Sequence, residues 1–252
     1  MGFKISDNKT SVSAKVLTAS SAMVVGAGLT CHAIPALTAI GPIRRQLFPE
    51  LSGLSSSKAI ALTFDDGPDI KSTAMFLDKL DKYNWKATFF MLGSMAEKSP
   101  GLTREVKSRG HEIAVHGYLH KNLLRRSPNA TRNDIQKAHD TLSEISGAKP
   151  RFYRPPYGVL NMQALLTAKS LSLTPVLWTS WGRDWRAQAT PASVIRDLSH
   201  GLRPGSTLLL HDSDCTSAPG AYSSALGALD LLHERLKSLE IPVERLCDHF
   251  PD

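Results

Sequence analysis

From residue 58 to the C-terminus, short apolar runs alternate with longer amphipathic stretches. The apolar runs have the length of strands, and their hydrophobicity is nearly continuous. Strands of this kind are typical of a parallel sheet that helices cover on both faces. The runs predict strands at residues 59–64, 87–92, 112–116, 151–153, 174–178 and 206–211.

The stretches between these runs have the periodicity of helices. They predict helices at residues 72–83, 101–109, 131–146, 161–170 and 191–200, and a last helix with Leu229, Leu232, Leu236 and Leu239 on one face. Gly110 is expected to cap the second helix, and Thr131 with Asp134 resembles a capping box at the start of the third. Alternating strands and helices predict an α/β fold with a parallel sheet or barrel.

Composition excludes several classes of protein. With 252 residues, 42% of them hydrophobic, the chain is too apolar to be disordered and long enough to bury a core without disulfides. Three cysteines without CxxC spacing argue against a metal–thiolate site. The net charge is +7, but the basic residues are scattered, so we expect no nucleic-acid partner. The charge suits an anionic envelope surface.

The N-terminal segment has the order of a targeting sequence. Three lysines precede an uncharged stretch, residues 16–43, that is long enough to span a bilayer but is interrupted by Ser, Gly and Pro. We therefore predict a signal- or anchor-like segment and linker at residues 1–57, and one catalytic domain at residues 58–252. The alternative is an N-terminal helix that packs on a cytoplasmic domain.

Ionisable residues follow five of the predicted strands, at residues 65–66, 116–120, 154, 183–184 and 211–212. In a (β/α) barrel the functional residues lie where the strands end. The pattern therefore predicts one polar site at the mouth of a barrel.

The residue types at this site suit metal-dependent chemistry. Adjacent carboxylates on an extended backbone point in different directions, so Asp65 and Asp66 can divide the roles of base and metal ligand; alternatively they only cap a loop. The spacing of His116 and His120 is common for two imidazoles on one metal when the residues between them form a helical turn. Two histidines and one carboxylate leave coordination positions open, as catalytic metal sites do.

The other polar residues allow two interpretations each. The run from Pro155 to Gly158 is rigid and suits a loop that aims Arg154 and the N–H of Tyr157 at a ligand. Arg154 could instead be a surface cation, and Asp184 an exposed ion-pair partner. His211, after an apolar strand, could be a buried core histidine.

As a set, these segments resemble the five motifs of the NodB-type polysaccharide deacetylases, carbohydrate esterase family 4, in order and spacing, over about residues 58–250. The resemblance implies a distorted (β/α) barrel of about seven parallel strands, here with an N-terminal helical extension. It also implies a hydrolase that removes acetyl groups from N-acetylated sugars of a cell-surface polysaccharide and releases acetate.

The resemblance carries roles over to single residues. Asp66, His116 and His120 would hold one divalent metal, usually zinc, with cobalt, iron and manganese as alternatives. Asp65 would be the general base and His211 the general acid.

Further residues would support this chemistry. Arg154 would pair with the base, and Asp184 would orient the acid. Tyr157 and Trp185 would contact the substrate. Trp181 and Trp185 could each stack on a sugar ring, or they could pack in the core. The chain departs from the family at Gly117, where Ser or Thr is frequent and its hydroxyl props the metal loop, and at Trp181, where an additional Asp is common.

Two other functions are compatible with parts of this pattern. A catalytically silent glycan-binding barrel is disfavoured because the acid, the base and all three ligands are present, and a metal-dependent hydrolase of a small amide remains the other alternative. The expected partner is an acetylated glycan, with membrane association through the N-terminal segment and a monomeric state. We expect an extracytoplasmic location, secreted or membrane-anchored, with a cytoplasmic one as the alternative.

Overall fold

The computed structural model describes residues 30–251. The most apolar part of the predicted targeting segment, residues 16–29, lies outside this range, so its role stays a prediction. Within the described range, no helix combines the length and apolar character that crossing a bilayer requires.

The described strands form one parallel sheet. Seven of them follow the order β5-β4-β3-β2-β1-β7-β6 and curve into a half-barrel, which confirms the predicted fold class; β8 pairs with the first two residues of β1. The half-barrel is open between β5 and β6. The strands are β1 Ile60–Asp65, β2 Thr88–Met91, β3 Glu112–Val115, β4 Phe152–Tyr153, β5 Thr174–Pro175, β6 Ser180–Trp181, β7 Thr207–His211 and β8 Val243–Glu244.

Helices surround the sheet, and each predicted helix is found with shifted ends. They are α1 Gly41–Leu47, α2 Thr73–Lys82, α3 Gly93–Lys98, α4 Pro100–Ser108, α5 Pro128–Ser146, α6 Met162–Ser170, α7 Pro191–Ser199, α8 Tyr222–Ser238 and α9 Leu246–His249, with 3₁₀ turns at Ile34–Ala39, Leu123–Arg125 and Pro156–Gly158. Helices α1, α3 and α9 and strands β6 and β8 were not predicted, because they are too short to show a period.

The predicted capping box at the start of α5 is wrong. The helix begins at Pro128, and the hydroxyl of Ser127 caps it by accepting a hydrogen bond from the N–H of Ala130. Thr131 and Asp134 therefore lie inside the helix, and both are buried. Gly110 follows α4 with a φ of 84°, as expected of a glycine beyond a helix end.

Along each strand, the side chains point alternately toward the main core and toward the candidate site. In β1, Ile60, Leu62 and Phe64 pack in the main core beneath the helices, whereas Ala61 belongs to a second, smaller core cluster. Because strand side chains alternate between faces, Asp65 shares the face of Ala61. The same rule places His116 on the face of Ala114, and so the polar residues face the inside of the half-barrel.

The segment before the domain is bound to the barrel. The N–H of Leu177 donates to the carbonyl of Leu51 over 2.7 Å, and the Thr207 hydroxyl donates to the carbonyl of Gly53 over 2.7 Å. Arg44, only 3% exposed, donates to the carbonyl of Trp178. Residues 44–53 therefore belong to the packed structure.

Candidate active site

One cavity of about 230 Å³ lies at the carboxyl ends of the strands. It brings together seven of the nine site residues predicted from the sequence, while Arg154 and Asp184 are buried behind its wall. Trp178, Trp181, Leu209, Thr216 and Ser217 also contribute to the lining. The lining residues from the prediction are Asp65, Asp66, His116, His120, Tyr157, Trp185 and His211.

Asp65 and Asp66 converge on one imidazole. The Nε2 atom of His116 lies 3.8 Å from Oδ2 of Asp65 and 3.4 Å from Oδ1 of Asp66. The expectation that these carboxylates point in different directions does not hold, because Asp66 has a φ of 79° and the extended backbone ends there. Both carboxylates therefore reach the same corner of the cavity.

Asp66, His116 and His120 form a compact set of ligands. Oδ1 of Asp66 lies 3.4 Å from Nε2 of His116 and 3.5 Å from Nε2 of His120. Nitrogen and oxygen ligands at about 2.1 Å from a tetrahedral ion are roughly 3.4 Å apart. Of the groups that the structure describes, this is the one set of three His, Cys, Asp or Glu residues close enough to hold a metal ion.

The ligand atoms are left free for a cation. Oδ1 of Asp66 is buried and has no hydrogen-bond partner among the described residues, because the Thr216 hydroxyl donates to the other oxygen. Nδ1 of His116 lies 2.9 Å from the carbonyl of Arg154, which fixes the tautomer with a lone pair on Nε2. The three residues therefore fit a divalent metal ion.

Protonation states suit the same role. Burial lowers the pKa of His120 to about 4, and the neighbouring His116 contributes in the same direction. Burial raises the pKa of Asp66, but the nearby imidazole of His116 and the charges of His211 and His120 outweigh it, so the net pKa is lowered. A neutral imidazole and an ionised carboxylate are the ligand forms a metal requires.

The two histidines are joined by a loop, and the expected helical turn is absent. Gly117 has a φ of 96°, and residues 116–120 contain no helix. The carboxylate of Asp134, on α5, accepts hydrogen bonds from the N–H of Tyr118 over 2.9 Å and of Leu119 over 3.2 Å. A Cβ on Gly117 would lie 2.9 Å from this carboxylate. Asp134 therefore supports the loop, although Gly117 lacks the hydroxyl that Ser or Thr would provide there.

Arg154 lies beneath Asp65 and is not a surface cation. Its side chain is 0% exposed, and its Nη1 donates to Oδ1 of Asp65 over 2.6 Å and to the Thr63 hydroxyl over 2.9 Å. The remaining donors reach the carbonyls of Val176 and Leu177. All three guanidinium nitrogens are therefore hydrogen-bonded in one orientation, and the group holds a positive charge against Asp65.

His211 is held by Asp184, and it lies next to Asp65 in the register of β1 and β7. Nδ1 of His211 lies 3.0 Å from one carboxylate oxygen of Asp184, and the N–H of His211 donates to the other oxygen over 2.8 Å. Asp184 is 1% exposed, so it is not an exposed ion-pair partner. Burial lowers the pKa of His211, but the charge and hydrogen bond of Asp184, with Asp66 and Asp65, raise it to about 10. His211 therefore carries a proton toward the cavity at neutral pH.

Aromatic rings form one side of the cavity. Trp178 and Trp181 stack with ring centroids 5.5 Å apart, Trp181 and Trp185 are 4.8 Å apart, and Trp185 lies 5.8 Å from His211. Tyr157, 58% exposed with a φ of 60°, places its ring edge-on to His120 at 4.3 Å. Partly exposed rings of this kind suit contact with an amphipathic ligand.

Two residues of the cavity, Trp178 and Thr216, were not predicted from the sequence, and one residue that follows a strand, Asp212, lies outside the cavity. Trp178 lies at the end of the predicted strand 174–178, so the strand-end rule could have included it. Thr216 lies in an irregular loop that carries no pattern. Asp212 is not in the cavity: it is buried, accepts a hydrogen bond from the Thr73 hydroxyl, and packs so closely on Gly67 that a Cβ there would lie 2.2 Å from its carboxylate.

The chain resembles known proteins over most of the described region. A family model described as polysaccharide deacetylase matches residues 53–176. A peptidoglycan-N-acetylglucosamine deacetylase of Bacillus cereus is 37% identical over 188 residues, which cover 74% of this chain and 66% of that protein. The deacetylase PgdA of Listeria monocytogenes is 34% identical over 75% of this chain but only 38% of its own length. This chain thus spans less than two thirds of these relatives.

A solved structure has the same fold. The peptidoglycan N-acetylglucosamine deacetylase Bc1960, in complex with 4-naphthalen-1-yl-N-oxidanyl-benzamide, superposes with a TM-score of 0.73 at 34% sequence identity. The match covers 79% of this chain and 91% of that structure.

Proposed function

This chain belongs to the polysaccharide deacetylase family, and from that premise we propose that it is a metal-dependent hydrolase that removes acetyl groups from N-acetylated sugars of a cell-surface polysaccharide. One observation carries the proposal. The cavity that contains the metal-ligand set is also lined by Asp65, paired with buried Arg154, and by His211, paired with buried Asp184. Asp65 and His211 are partners in the register of β1 and β7, so a base and an acid lie side by side in one cavity.

Asp66, His116 and His120 would hold the divalent metal, which we propose is zinc, with cobalt, iron and manganese as alternatives that the same donor types accept. When bound, such an ion polarises a carbonyl and lowers the pKa of water. The ligand separations of 3.4 and 3.5 Å and the unpartnered oxygen of Asp66 support this assignment.

Asp65 is proposed as the general base. Arg154, 2.6 Å away and entirely buried, places a positive charge beside the carboxylate, and Asp65 would accept a proton from the attacking water. The fixed orientation of the pair keeps the accepting oxygen in the cavity.

The N–H of Tyr157 would donate a hydrogen bond to the tetrahedral oxyanion. A donor of this kind stabilises the transition state by about 3 kcal/mol. His211, protonated beside Asp184, would then donate its proton to the departing nitrogen. The products are acetate and a sugar with a free amine. Trp185, between His211 and Trp181, would contact the sugar.

The relatives also bear on the location of the protein. They are peptidoglycan deacetylases, so we propose that this protein acts outside the cytoplasm. We further propose that it is a monomer. Residues 1–57 would direct or anchor it, residues 58–252 would be its catalytic domain, and its net charge of +7 suits an anionic envelope.

Release of acetate tests the proposal. Chitin oligosaccharides, peptidoglycan and a small acetamide are compared side by side, with the purified protein as isolated, after chelation, and after zinc is restored. We expect acetate from at least one glycan, loss of release on chelation and recovery with zinc. Release from the small amide alone would favour the small-molecule hydrolase, and release from none, with glycan still bound, would favour the silent barrel.

A further inference from the structure

A second cavity adjoins the candidate active site at Trp181. Its volume is about 470 Å³, and the Trp181 side chain belongs to the walls of both cavities. The other lining residues are Arg45, Thr179, Ser180, Arg183, Asp197, His200, Gly201 and Arg203. A ligand that rests on Trp181 can therefore extend from one cavity into the other.

The second cavity is positively charged. Among the residues that the structure describes, Arg45, Arg183 and Arg203 have no acidic partner within ion-pair distance. Asp197 is the one carboxylate in the lining, and it is paired with Arg186 over 2.7 Å and approaches Arg196 at 3.5 Å. Its charge is thus already compensated from outside the cavity.

One of the arginines contacts Trp181, and a second lies on a helix that is fixed to the barrel. The Arg183 guanidinium lies 5.1 Å from the centre of the Trp181 ring. Arg45 is on α1, and its neighbour Arg44 fixes that helix: one nitrogen donates to the carbonyl of Thr38 over 2.8 Å and another to the carbonyl of Trp178 over 2.9 Å. The wall is therefore part of the folded structure.

One side of the wall comes from the N-terminal segment. Helix α1, which carries Arg45, precedes residue 53, where the match to the polysaccharide deacetylase family model begins.

We propose that this cavity binds a carboxylate carried by a sugar next to the one that is deacetylated, so that the substrate is an acidic, N-acetylated glycan. The inference rests on the function proposed above. Planar guanidinium groups bind carboxylates through paired hydrogen bonds.

Matched substrates test the inference on the zinc-loaded full chain. One is chitotetraose, which is neutral, and the other is the tetrasaccharide of alternating N-acetylglucosamine and N-acetylmuramic acid, whose lactyl groups carry free carboxylates. We expect a higher kcat/KM for the acidic tetrasaccharide at low salt. The double variant Arg45→Gln, Arg203→Gln should lower this preference about tenfold, since a hydrogen bond to a charged group contributes roughly one order of magnitude in affinity.

The control is Arg104→Gln, which removes one charge from an exposed position on α4, and it should leave the preference unchanged. An unchanged preference in the double variant, or an equal loss on both tetrasaccharides, would overturn the inference. Added NaCl should reduce the preference of the wild type more than that of the double variant, because salt screens exposed charges.

A binding measurement separates the two proposals. In the Asp65→Asn background, quenching of tryptophan fluorescence reports glycan binding without turnover. Tighter binding of the acidic tetrasaccharide, with that difference lost in the arginine double variant, would support the cavity whether or not the wild type releases acetate. Absence of acetate release by the wild type would contradict only the proposed function. Equal binding of both tetrasaccharides contradicts the cavity.

Discussion

Among single residues, Asp65 combines two properties that conflict in most proteins. It is 3% exposed, and yet it lies within reach of water in the cavity. Arg154 beneath it is also buried and holds its guanidinium 2.6 Å from the carboxylate. The pair therefore fixes a carboxylate oxygen in a site with little solvent, as a general base requires.

Asp65→Asn should reduce kcat about 10²- to 10⁴-fold, the range that general-base catalysis contributes, while zinc stays bound. The amide oxygen can still accept a hydrogen bond from Arg154, although a buried charge loses its partner and the protein should unfold at lower temperature. Acetate release, metal content and thermal unfolding are the measurements. His116→Ala is the companion variant and should lose the metal; full activity of Asp65→Asn would refute the assigned base.

Asp184→Asn should alter the pH profile. In the wild type the pKa of His211 is raised to about 10, chiefly by Asp184 acting against burial, so the acid form persists at neutral pH and is lost as pH rises through that value. Without the carboxylate, burial dominates and the pKa of His211 falls. We expect the alkaline limb of kcat/KM to move toward lower pH by at least about one unit. An unmoved limb with reduced kcat would mean that Asp184 only supports the fold.

At the scale of elements, the metal loop depends on the α-helix that follows it in the chain. Residues 116–120 follow β3 without forming a helix, and α5 supplies the carboxylate of Asp134 that binds two of their N–H groups. Burial raises the pKa of Asp134, and those two hydrogen bonds partly oppose the rise. The position of His120 therefore depends on α5.

Asp134→Asn should weaken zinc binding by about 10- to 100-fold, the usual effect of losing a group that orients metal ligands. The amide offers one acceptor oxygen where two N–H groups need one each, so the loop would shift. Titration of the apo protein with zinc measures the effect. Asp140→Asn, an exposed change of the same kind on the same helix, should bind zinc as the wild type does. Equal affinities in both variants would contradict the role of Asp134.

At the scale of the whole molecule, a buried histidine at the amino end of β3, the end opposite the metal ligand His116, links the fold to pH. His111 is 0% exposed, and its Nδ1 accepts the N–H of Ala87 over 3.2 Å. Burial, with Lys86 as the next cause, lowers the pKa of His111 from 6.5 to about 4. The unfolded chain then binds more protons between these values, so the free energy of unfolding falls as pH drops from 6.5 toward 4.

This contribution should reach about 3 kcal/mol at the acid end, since one pKa unit corresponds to about 1.4 kcal/mol. His111→Asn retains an acceptor for Ala87 but does not titrate, so its stability should fall less than that of the wild type over the same range. Urea unfolding at several pH values measures the difference. His200→Asn, at an exposed position, serves as the control; identical slopes for His111→Asn and wild type would contradict the prediction.

Most of the sheet was predictable because its strands bury both faces, and such runs are visible without knowing their partners. The long helices were predictable for a similar reason, although α5 starts three residues before the expected position because Ser127, and not Thr131, is its cap. Short elements such as β6 and α3 are decided by pairing and packing. Their sequences carry no period long enough to detect.

The amino-acid sequence alone therefore determined the alternation of strands and helices and the residues that follow each strand. These depend on local periodicity and on the rule that parallel strands end at one edge. Only the tertiary structure decided that Arg154 is wholly buried, that Asp134 holds the metal loop, and that Arg45 forms a wall beside Trp181. Each of these depends on contacts between separate segments of the chain. The periodicity of neighbouring residues does not show which segments will meet.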